Sequence, residues 1–295
     1  MLETKAELYR TAQRAAAIGA LVNLGLGAAK LGGGLAADSY ALVSDAVNSL
    51  GDAGTSIVVF LALRVAARPP DHRHPYGHTR AEAVAASNVA VVLILSALWV
   101  GLGALRRLSV LHDAPPAWTL WIAGANAVIK ECLYRYKAGV GRRTGSAALI
   151  ANAWDHRADA FCALAVLVGL AIVRWGGPRL VFADEVAALV VVGAILAAGG
   201  TLLYRSVHEL LDVQADEDLL ARIRAVALSV EGVLGVEKLF VRKTGLEYLA
   251  DIHVEVDPEL TVARGHAIGH RVKDELLAAF PRLRDVLVHL EPHRR

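Results

Sequence analysis

The sequence predicts a mainly α-helical membrane protein, a six-helix transmembrane bundle followed by a small cytoplasmic α+β domain. The chain of 295 residues is 55% hydrophobic and has a mean hydropathy of +0.44, which is too apolar for a soluble domain of this length. The apolar residues form six long segments within residues 1–212, whereas residues 213–295 are mostly polar. We therefore expect a membrane domain over residues 1–212 and a small separate domain over residues 213–295.

Each apolar segment is close to the length that a hydrocarbon core of about 30 Å requires of a helix. The predicted spans cover residues 15–37, 40–63, 83–105, 118–136, 147–173 and 183–203. Residues 1–14 are charged and lack the apolar core of a signal peptide, so we expect no removable segment there. The protein is predicted to be a multi-pass integral membrane protein in contact with lipid.

Basic residues predict the orientation of these spans. Lysine and arginine are concentrated in the N-terminal segment and in the loops after the second and fourth spans, and short loops of this kind stay in the cytoplasm. Both termini are therefore expected in the cytoplasm, at a bacterial inner membrane or an internal membrane. The net charge of +2 gives no indication of nucleic-acid binding.

Carboxylates inside the predicted spans are the strongest functional signal. Asp155 and Asp159 lie one helical turn apart in the fifth span, and Asn48 and Asp52 have the same spacing in the second. An ionised carboxylate at membrane depth costs about 2.5–3.5 kcal/mol or more, so it needs a partner. A divalent cation would accept oxygen ligands from both helices. The alternative is a structural pair bonded to a neighbouring arginine or to buried water.

A second candidate metal site lies in the loop after the second span, in the sequence RPPDHRHPYGH. Asp71, His72, His74 and His78 fall within eight residues, beside two prolines that stiffen the chain. Such a cluster is typical of a local metal-binding loop. A basic loop that is solvated or contacts lipid phosphates is the alternative.

The polar tail predicts the element order αββαβ of a ferredoxin-like domain. Amphipathic periodicity predicts the helices, and period-2 alternation predicts the strands. The predicted elements cover residues 216–229, 236–243, 248–257, 262–280 and 285–291. This order suggests an antiparallel sheet with its helices on one face.

Histidines and carboxylates share one face of the predicted tail sheet. His253 lies on the second strand, His289 and Glu291 lie two residues apart on the third, and His266 of the second helix is within reach. Imidazoles together with carboxylates suit zinc, cobalt, iron or manganese. A solvated polar sheet face is the alternative.

These motifs together resemble the cation diffusion facilitators, a family of homodimeric exporters of divalent transition metals. The resemblance covers nearly the whole chain. Three segments carry it, in this order and in the expected spans: SLGDAGTS, PPDHRHPYGHTRAE and ANAWDHRADA. It implies a transporter that is not an enzyme and needs no cofactor, with Mn²⁺, Fe²⁺ or Zn²⁺ as substrate and regulator.

The resemblance assigns residues to three metal sites and one ion pair. The transport site maps to Asn48, Asp52, Asp155 and Asp159. The loop site maps to Asp71, His74 and His78. The cytoplasmic site maps to His253, His266, His289 and Glu291, with Glu237 where many relatives have another histidine. Arg80 and Asp212 resemble a charged pair that locks together the membrane domains of the family's dimer.

The ligand set of the transport site differs from the pattern of zinc-transporting members, which have His or Asp at the first position and His at the third. Here Asn48 and Asp155 supply oxygen, which suits Mn²⁺ or Fe²⁺ better than Zn²⁺. Zinc would still bind more tightly than manganese in absolute terms, so geometry and availability decide selectivity. His156 projects about 100° away from Asp155 around the helix and is not included.

The implied function is proton-coupled efflux of Mn²⁺ or Fe²⁺ from the cytoplasm by alternating access in a homodimer. Protons would displace the cation from the carboxylates. Metal in the tail would draw two copies together and so act as a regulator. Zinc or cobalt efflux, a non-transporting metal-binding scaffold and a membrane metallohydrolase are the alternatives; the last would need an open metal position beside a positioned acid or base.

Overall fold

The computed structural model describes residues 4–36, 40–107, 117–176 and 182–293. Six long helices precede the tail. They are α1 (Lys5–Ala36), α2 (Tyr40–Ala66), α3 (Ala81–Arg107), α4 (Ala117–Thr144), α5 (Ala147–Gly176) and α6 (Phe182–Leu210). Each contains one predicted span, except that residue 37 of the first span lies outside the described residues. The prediction of a helical membrane domain followed by an α+β tail is confirmed.

Four of these helices contain a stretch that is long and apolar enough to cross a membrane, when the described residues are considered. The stretches are Lys5–Gly33, Ala46–Ala66, Ala81–Gly103 and Leu189–Leu210. Helices α4 and α5 are interrupted by charged residues, among them Lys130, Lys137 and Asp155. Charged side chains inside such helices usually face the interior of a bundle and have a function.

The chain divides into two compact units. The first, here called the helical unit, comprises Thr11–Val65 and Ala81–Ser206. The second, here called the tail unit, comprises Met1–Arg10, Ala66–Arg80 and Val207–Arg295.

Helix α5 is central to the packing of the helical unit, because it contacts both α3 and α4. Its residues Ala151, Ala153 and Ala158 are buried, and small side chains of this kind let helices approach closely. Ala158 belongs to an apolar cluster that includes Leu93 on α3 and Val192 on α6. Functional side chains on α5 are therefore held on a well-packed element.

The buried carboxylate of Glu82, in the first turn of α3, caps the start of α5. Its Oε1 accepts hydrogen bonds from Ser146 Oγ and from the backbone N–H of Ala148, each at 2.7 Å. Glu82 is fully buried. The first N–H groups of a helix have no partner within the helix and carry partial positive charge, so an ionised carboxylate stabilises them.

The tail unit contains the five predicted elements in the predicted order. They are α7 (Glu217–Leu228), β1 (Gly235–Thr244), β2 (Glu247–Val256), α8 (Val262–Ala279) and β3 (Leu283–Pro292). The core is built from apolar residues of all five elements, including Ile223 of α7, Ile252 of β2 and Leu276 of α8, which are fully buried. The αββαβ order is confirmed.

The pairing of the strands corrects one expectation. The sheet order is β1-β2-β3; β1 and β2 are antiparallel, as expected, but β2 and β3 are parallel. A wholly antiparallel sheet is therefore wrong. The reason is α8, which returns the chain to the end where β2 began, so that β3 runs in the same direction as β2.

The outer edge of β1 is covered by the chain segment that precedes α7. The side-chain amide of Gln214 donates to the carbonyl of Leu239 at 3.0 Å and accepts from the N–H of Val241 at 3.1 Å. The N–H of Ala215 donates to the Val241 carbonyl at 2.7 Å. Backbone groups along this part of the edge are thus already paired.

The turn between β1 and β2 is held by two other segments of the tail unit. Thr244 contacts Thr79 through their hydroxyls at 2.5 Å, and the N–H of Gly245 donates to Glu209 Oε1 at 2.8 Å. Gly245 has a φ of 62°, and a Cβ at this position would lie 2.7 Å from the carbonyl oxygen of Thr79. Only glycine fits this conformation and this close approach.

Candidate metal sites

Two carboxylates predicted to bind the transported cation lie close together in the helical unit. Asp52 of α2 and Asp159 of α5 form a group with His156, in which one ligand atom of each residue lies within 4.8 Å of the others. Asp52 and His156 are buried and Asp159 is half-buried. Two oxygens and one imidazole nitrogen at these separations could bind a single divalent cation.

A lysine that the sequence analysis did not include lies between these carboxylates. Nζ of Lys130, on α4, donates to Asp159 Oδ2 at 2.8 Å and forms a second ion pair with Asp52 Oδ2. The Lys130 side chain is only 1% exposed. The ammonium group therefore neutralises part of the negative charge of the site from inside the protein.

A second buried lysine lies beside the same histidine. Nζ of Lys137 donates to Ser56 Oγ at 2.9 Å and to Asn152 Oδ1 at 2.5 Å, and it lies 2.8 Å from His156 Nε2. Gly19 of α1 provides the space, since a Cβ there would lie 2.0 Å from Lys137 Cε. Lys137 thus has neutral partners, whereas Lys130 has two carboxylates.

The other two predicted ligands of the transport site have different surroundings. Asp155 is half-buried and its Oδ2 accepts a hydrogen bond from Thr55 Oγ1 at 3.4 Å; it lies outside the group formed by Asp52 and Asp159. The side chain of Asn48 is exposed. The structure therefore brings two of the four predicted ligands together and adds His156.

The three predicted ligands of the loop site also lie together. Asp71 Oδ1 is 3.2 Å from His74 Nδ1, and Asp71 Oδ2 is 3.4 Å from His78 Nε2. A hydrogen bond from the backbone N–H of His74, at 2.7 Å, lowers the pKa of the Asp71 carboxyl. The aspartate is thus kept ionised, as a metal ligand must be.

The cytoplasmic site is formed by neighbouring residues of β2 and β3. The parallel register places His253 opposite His289. Glu291 Oε1 lies 3.1 Å from His253 Nδ1 and 3.2 Å from His289 Nε2. The hydrogen bond with His253 lowers the pKa of the Glu291 carboxyl. These three residues could bind a metal ion with two nitrogens and one oxygen.

Two other residues predicted for the cytoplasmic site lie outside this group. His266 is exposed on α8, where its ring contacts that of His270 at 4.5 Å between centroids. The carboxylate of Glu237 on β1 lies 3.6 Å from Lys238 Nζ.

The predicted ion pair between Arg80 and Asp212 is present within one chain. Arg80 Nη2 pairs with Asp212 Oδ1, and its Nη1 donates to the Leu210 carbonyl at 3.3 Å. Arg242 extends the network, lying 3.8 Å from Asp212 and 3.5 Å from Asp251. The pair therefore joins the end of the loop to the segment after α6. Its role in locking a dimer stays a prediction.

The cytoplasmic site should bind metal less tightly in acid. A histidine ring binds metal only when it is neutral, whereas the lowered pKa of Glu291 keeps the carboxylate ionised below its ordinary range. Because metal ligands must be deprotonated to bind, protons compete with the metal, and Zn²⁺ binding should weaken as the pH is lowered from about 7.5 to about 5.5.

Calorimetric titration of the full-length protein over this pH range measures the effect. The Glu291→Gln variant is expected to bind more weakly throughout, with a similar dependence on pH. A wild-type affinity that is constant over the range would contradict histidine ligation.

Known protein families and relatives match most of this chain. Residues 16–211 match the model described as the cation efflux transmembrane domain, and residues 215–293 match that of the cation efflux protein, cytoplasmic domain. The manganese efflux system protein MneP of Bacillus subtilis (strain 168) is 30% identical over 291 residues, which cover 97% of this chain and 98% of that protein.

Magnetosome protein MamB of Paramagnetospirillum magneticum is 32% identical over 260 residues, which cover 88% of this chain and 87% of MamB. Among solved structures, the MamM-CTD 215-293 fragment is 34% identical and covers 26% of this chain and 98% of the fragment, with a TM-score of 0.26.

Proposed function

Because the chain belongs to the cation efflux family, whose members are multi-pass membrane transporters of divalent metals, we propose that it exports Mn²⁺ or Fe²⁺ from the cytoplasm. In this proposal it works as a homodimer by proton-coupled alternating access, and both termini lie in the cytoplasm. The observation that carries the proposal is the approach of Asp52 and Asp159, from α2 and α5, to within metal-binding distance in the helical unit.

The preference for Mn²⁺ or Fe²⁺ is supported by the oxygen ligands. Carboxylate oxygens predominate in the predicted site, and they suit these ions better than they suit zinc. The relative MneP, which aligns over nearly its whole length, is named for manganese efflux. Asp155 would join the site through a change in side-chain conformation, since it is one helical turn from Asp159 on α5.

Zinc or cobalt efflux by the same mechanism is the second candidate. His156 favours it, because the structure groups this imidazole with Asp52 and Asp159, and tetrahedral zinc sites usually include a nitrogen ligand. A change of one ligand, from Asp155 oxygen to His156 nitrogen, thus separates the two candidates.

Proton coupling follows from the chemistry of the ligands. Carboxylates must be ionised to bind the cation, and protons that arrive from the outer side compete with it. An inward proton gradient would then favour release of metal on that side. Exchange of metal for protons would make export possible against a metal gradient.

The tail unit supports the homodimer and a regulatory role. It matches the cytoplasmic domain of the family, and it contains the His253, His289 and Glu291 cluster. Metal bound there would reduce the repulsion between acidic groups of two copies and so favour their approach. Metal would then regulate transport only if it binds the two states of the dimer with different affinities.

Flux measurements in proteoliposomes test the proposed function. The full-length protein is reconstituted with a metal-sensitive dye in the lumen, and Mn²⁺, Fe²⁺, Zn²⁺ and Co²⁺ are compared with and without an acidic lumen. We expect Mn²⁺ or Fe²⁺ to enter fastest and an acidic lumen to accelerate entry.

The other outcomes are equally informative. Faster flux of zinc or cobalt favours zinc or cobalt efflux as the function. Flux that does not depend on the pH of the lumen leaves facilitated diffusion as the mechanism. Metal binding without flux of any of the four ions favours a scaffold.

Loss of the cytoplasmic cluster should matter only when metal is scarce. We expect the double substitution His253→Ala and His289→Ala to lower flux by about tenfold at limiting Mn²⁺ and to leave it within about twofold of wild type at saturation, because the membrane site is intact. His293→Ala is the matched control, since this histidine lies on the same tail unit and pairs with Glu255 at 2.7 Å. Equal losses at both concentrations would indicate general damage to the tail.

A further inference from the structure

We propose that Lys130 is a tethered cation that takes the place of the transported metal in the empty transporter and that metal must displace to bind. This inference rests on the proposed function, because it assigns a role to Lys130 in the same transport site. It adds a residue that sets both the affinity of the site and its preference for divalent over monovalent cations.

The geometry excludes simultaneous occupancy. Lys130 Nζ lies 2.8 Å from Asp159 Oδ2 and is also paired with Asp52 Oδ2. A divalent cation that used the same two oxygens would lie about 2.0–2.2 Å from each of them. It would therefore occupy almost the same position as the ammonium group, which has to move away.

Burial makes this competition strong. Within the described residues, the Lys130 side chain is 1% exposed and both its ion-pair partners are ligands of the proposed site. An ammonium group without water depends on these partners. Likewise, the two carboxylates of an empty site would lose their main source of positive charge if the lysine were absent. The lysine thus stabilises the empty site and weakens the binding of every cation that enters it.

The same competition discriminates by charge. A monovalent ion that replaced the ammonium group would bring no more charge than the lysine already provides, and it would lose its own hydration. A divalent ion brings twice the charge to the same two oxygens, so its gain in Coulomb energy is larger. Divalent cations would therefore displace the Lys130 ammonium group, whereas K⁺ and Na⁺ would not.

Lys137 provides a matched control on the same helix. It is also buried, but its partners among the described residues are Ser56, Asn152 and His156, none of which is a carboxylate. Replacing Lys137 removes a buried lysine from α4 while leaving the pairs of Lys130 intact. If competition by Lys130 weakens metal binding, replacing Lys137 should therefore tighten metal binding much less or not at all.

Calorimetric titration of the full-length protein in nanodiscs with Mn²⁺ and with Zn²⁺ tests the proposal. Lys130→Met and Lys130→Gln are expected to bind both ions about tenfold more tightly or better than wild type, since the competitor is gone. Lys130→Arg keeps the charge and can hold both carboxylates with its planar fork. It should bind the ions about tenfold more weakly, and it tests the proposal even if the neutral variants do not fold.

Competition with K⁺ is a readout that a merely structural role would not change. In Lys130→Gln, K⁺ should weaken Mn²⁺ binding more than choline does at the same ionic strength, whereas the two salts should act alike on wild type and on Lys137→Met. Comparison at equal ionic strength removes the effect of screening.

The outcomes separate this inference from the proposed function. If wild type transports metal but the folded neutral variants bind it no more tightly, or Lys130→Arg binds it no more weakly, the inference is wrong and the proposed function stands. If wild type neither binds nor transports any of the metals, the proposed function fails, and the inference fails with it.

Discussion

Asp52→Asn and Asp159→Asn are each expected to reduce metal flux by about a hundredfold or more, because even partners of a metal ligand contribute about 10- to 100-fold. Each substitution removes a charged oxygen ligand from the proposed site. It also leaves Lys130 with one carboxylate in place of two. Flux of Mn²⁺ and Zn²⁺ into proteoliposomes measures the effect, at equal amounts of reconstituted protein.

Glu131→Gln is the matched control for these variants. Glu131 is also a carboxylate of the helical unit, but it pairs with Arg135 at 2.8 Å and with Arg157 at 4.0 Å, and it is not part of the group formed by Asp52, His156 and Asp159. We expect flux within about twofold of wild type, since such a partly exposed pair contributes little. Near-normal flux in either aspartate variant, or an equal loss in the control, would contradict the assignment of the transport site.

Glu82→Ala is expected to destabilise the helical unit by about 2–4 kcal/mol, because a hydrogen bond to a charged group contributes about 1.5–3 kcal/mol. The substitution leaves the Ser146 hydroxyl and the Ala148 N–H at the start of α5 without their acceptor. It also opens a cavity, since Glu82 is fully buried. Thermal unfolding in detergent, followed by loss of monodisperse protein, measures the change.

The unfolding midpoint of Glu82→Gln should lie between those of wild type and the alanine variant. The glutamine amide oxygen can still accept one or both hydrogen bonds, but it carries no charge. Glu131→Ala serves as the control for removal of a carboxylate outside the core. A midpoint for Glu82→Ala equal to that of this control would show that the cap contributes nothing to stability.

The order and extent of the helices and strands could be predicted from the sequence. Hydrophobic segments located all six long helices, and period-2 alternation located the three strands to within a few residues. The direction of β3 was missed because alternation gives the face of a residue and not the direction of its strand. The 18-residue helix α8 was the available signal, because a parallel connection needs a crossover of this length.

The candidate site was predicted only in part, since a single helix pattern does not show what the neighbouring helix contributes. Lys130 lies near Glu131 and Arg135 in the sequence and resembles the charged end of a span. His156 was set aside by its angle to Asp155, although it lies three residues before Asp159 and so shares a helix face with it. Packing of α4 against α5 brings Lys130 to Asp159, and the approach of Asp52 on α2 groups His156 with both carboxylates.

The closed edge of β1 has a consequence for aggregation. Two tails anchored in one dimer would meet at a high effective concentration, and an open strand edge under these conditions invites a continuous intermolecular ladder. Gln214 already pairs with Leu239 and Val241 along that edge, so addition of a strand there is blocked. Two copies would then associate through side-chain contacts, which are reversible and which bound metal favours, and they would be protected from irreversible strand exchange at this part of β1.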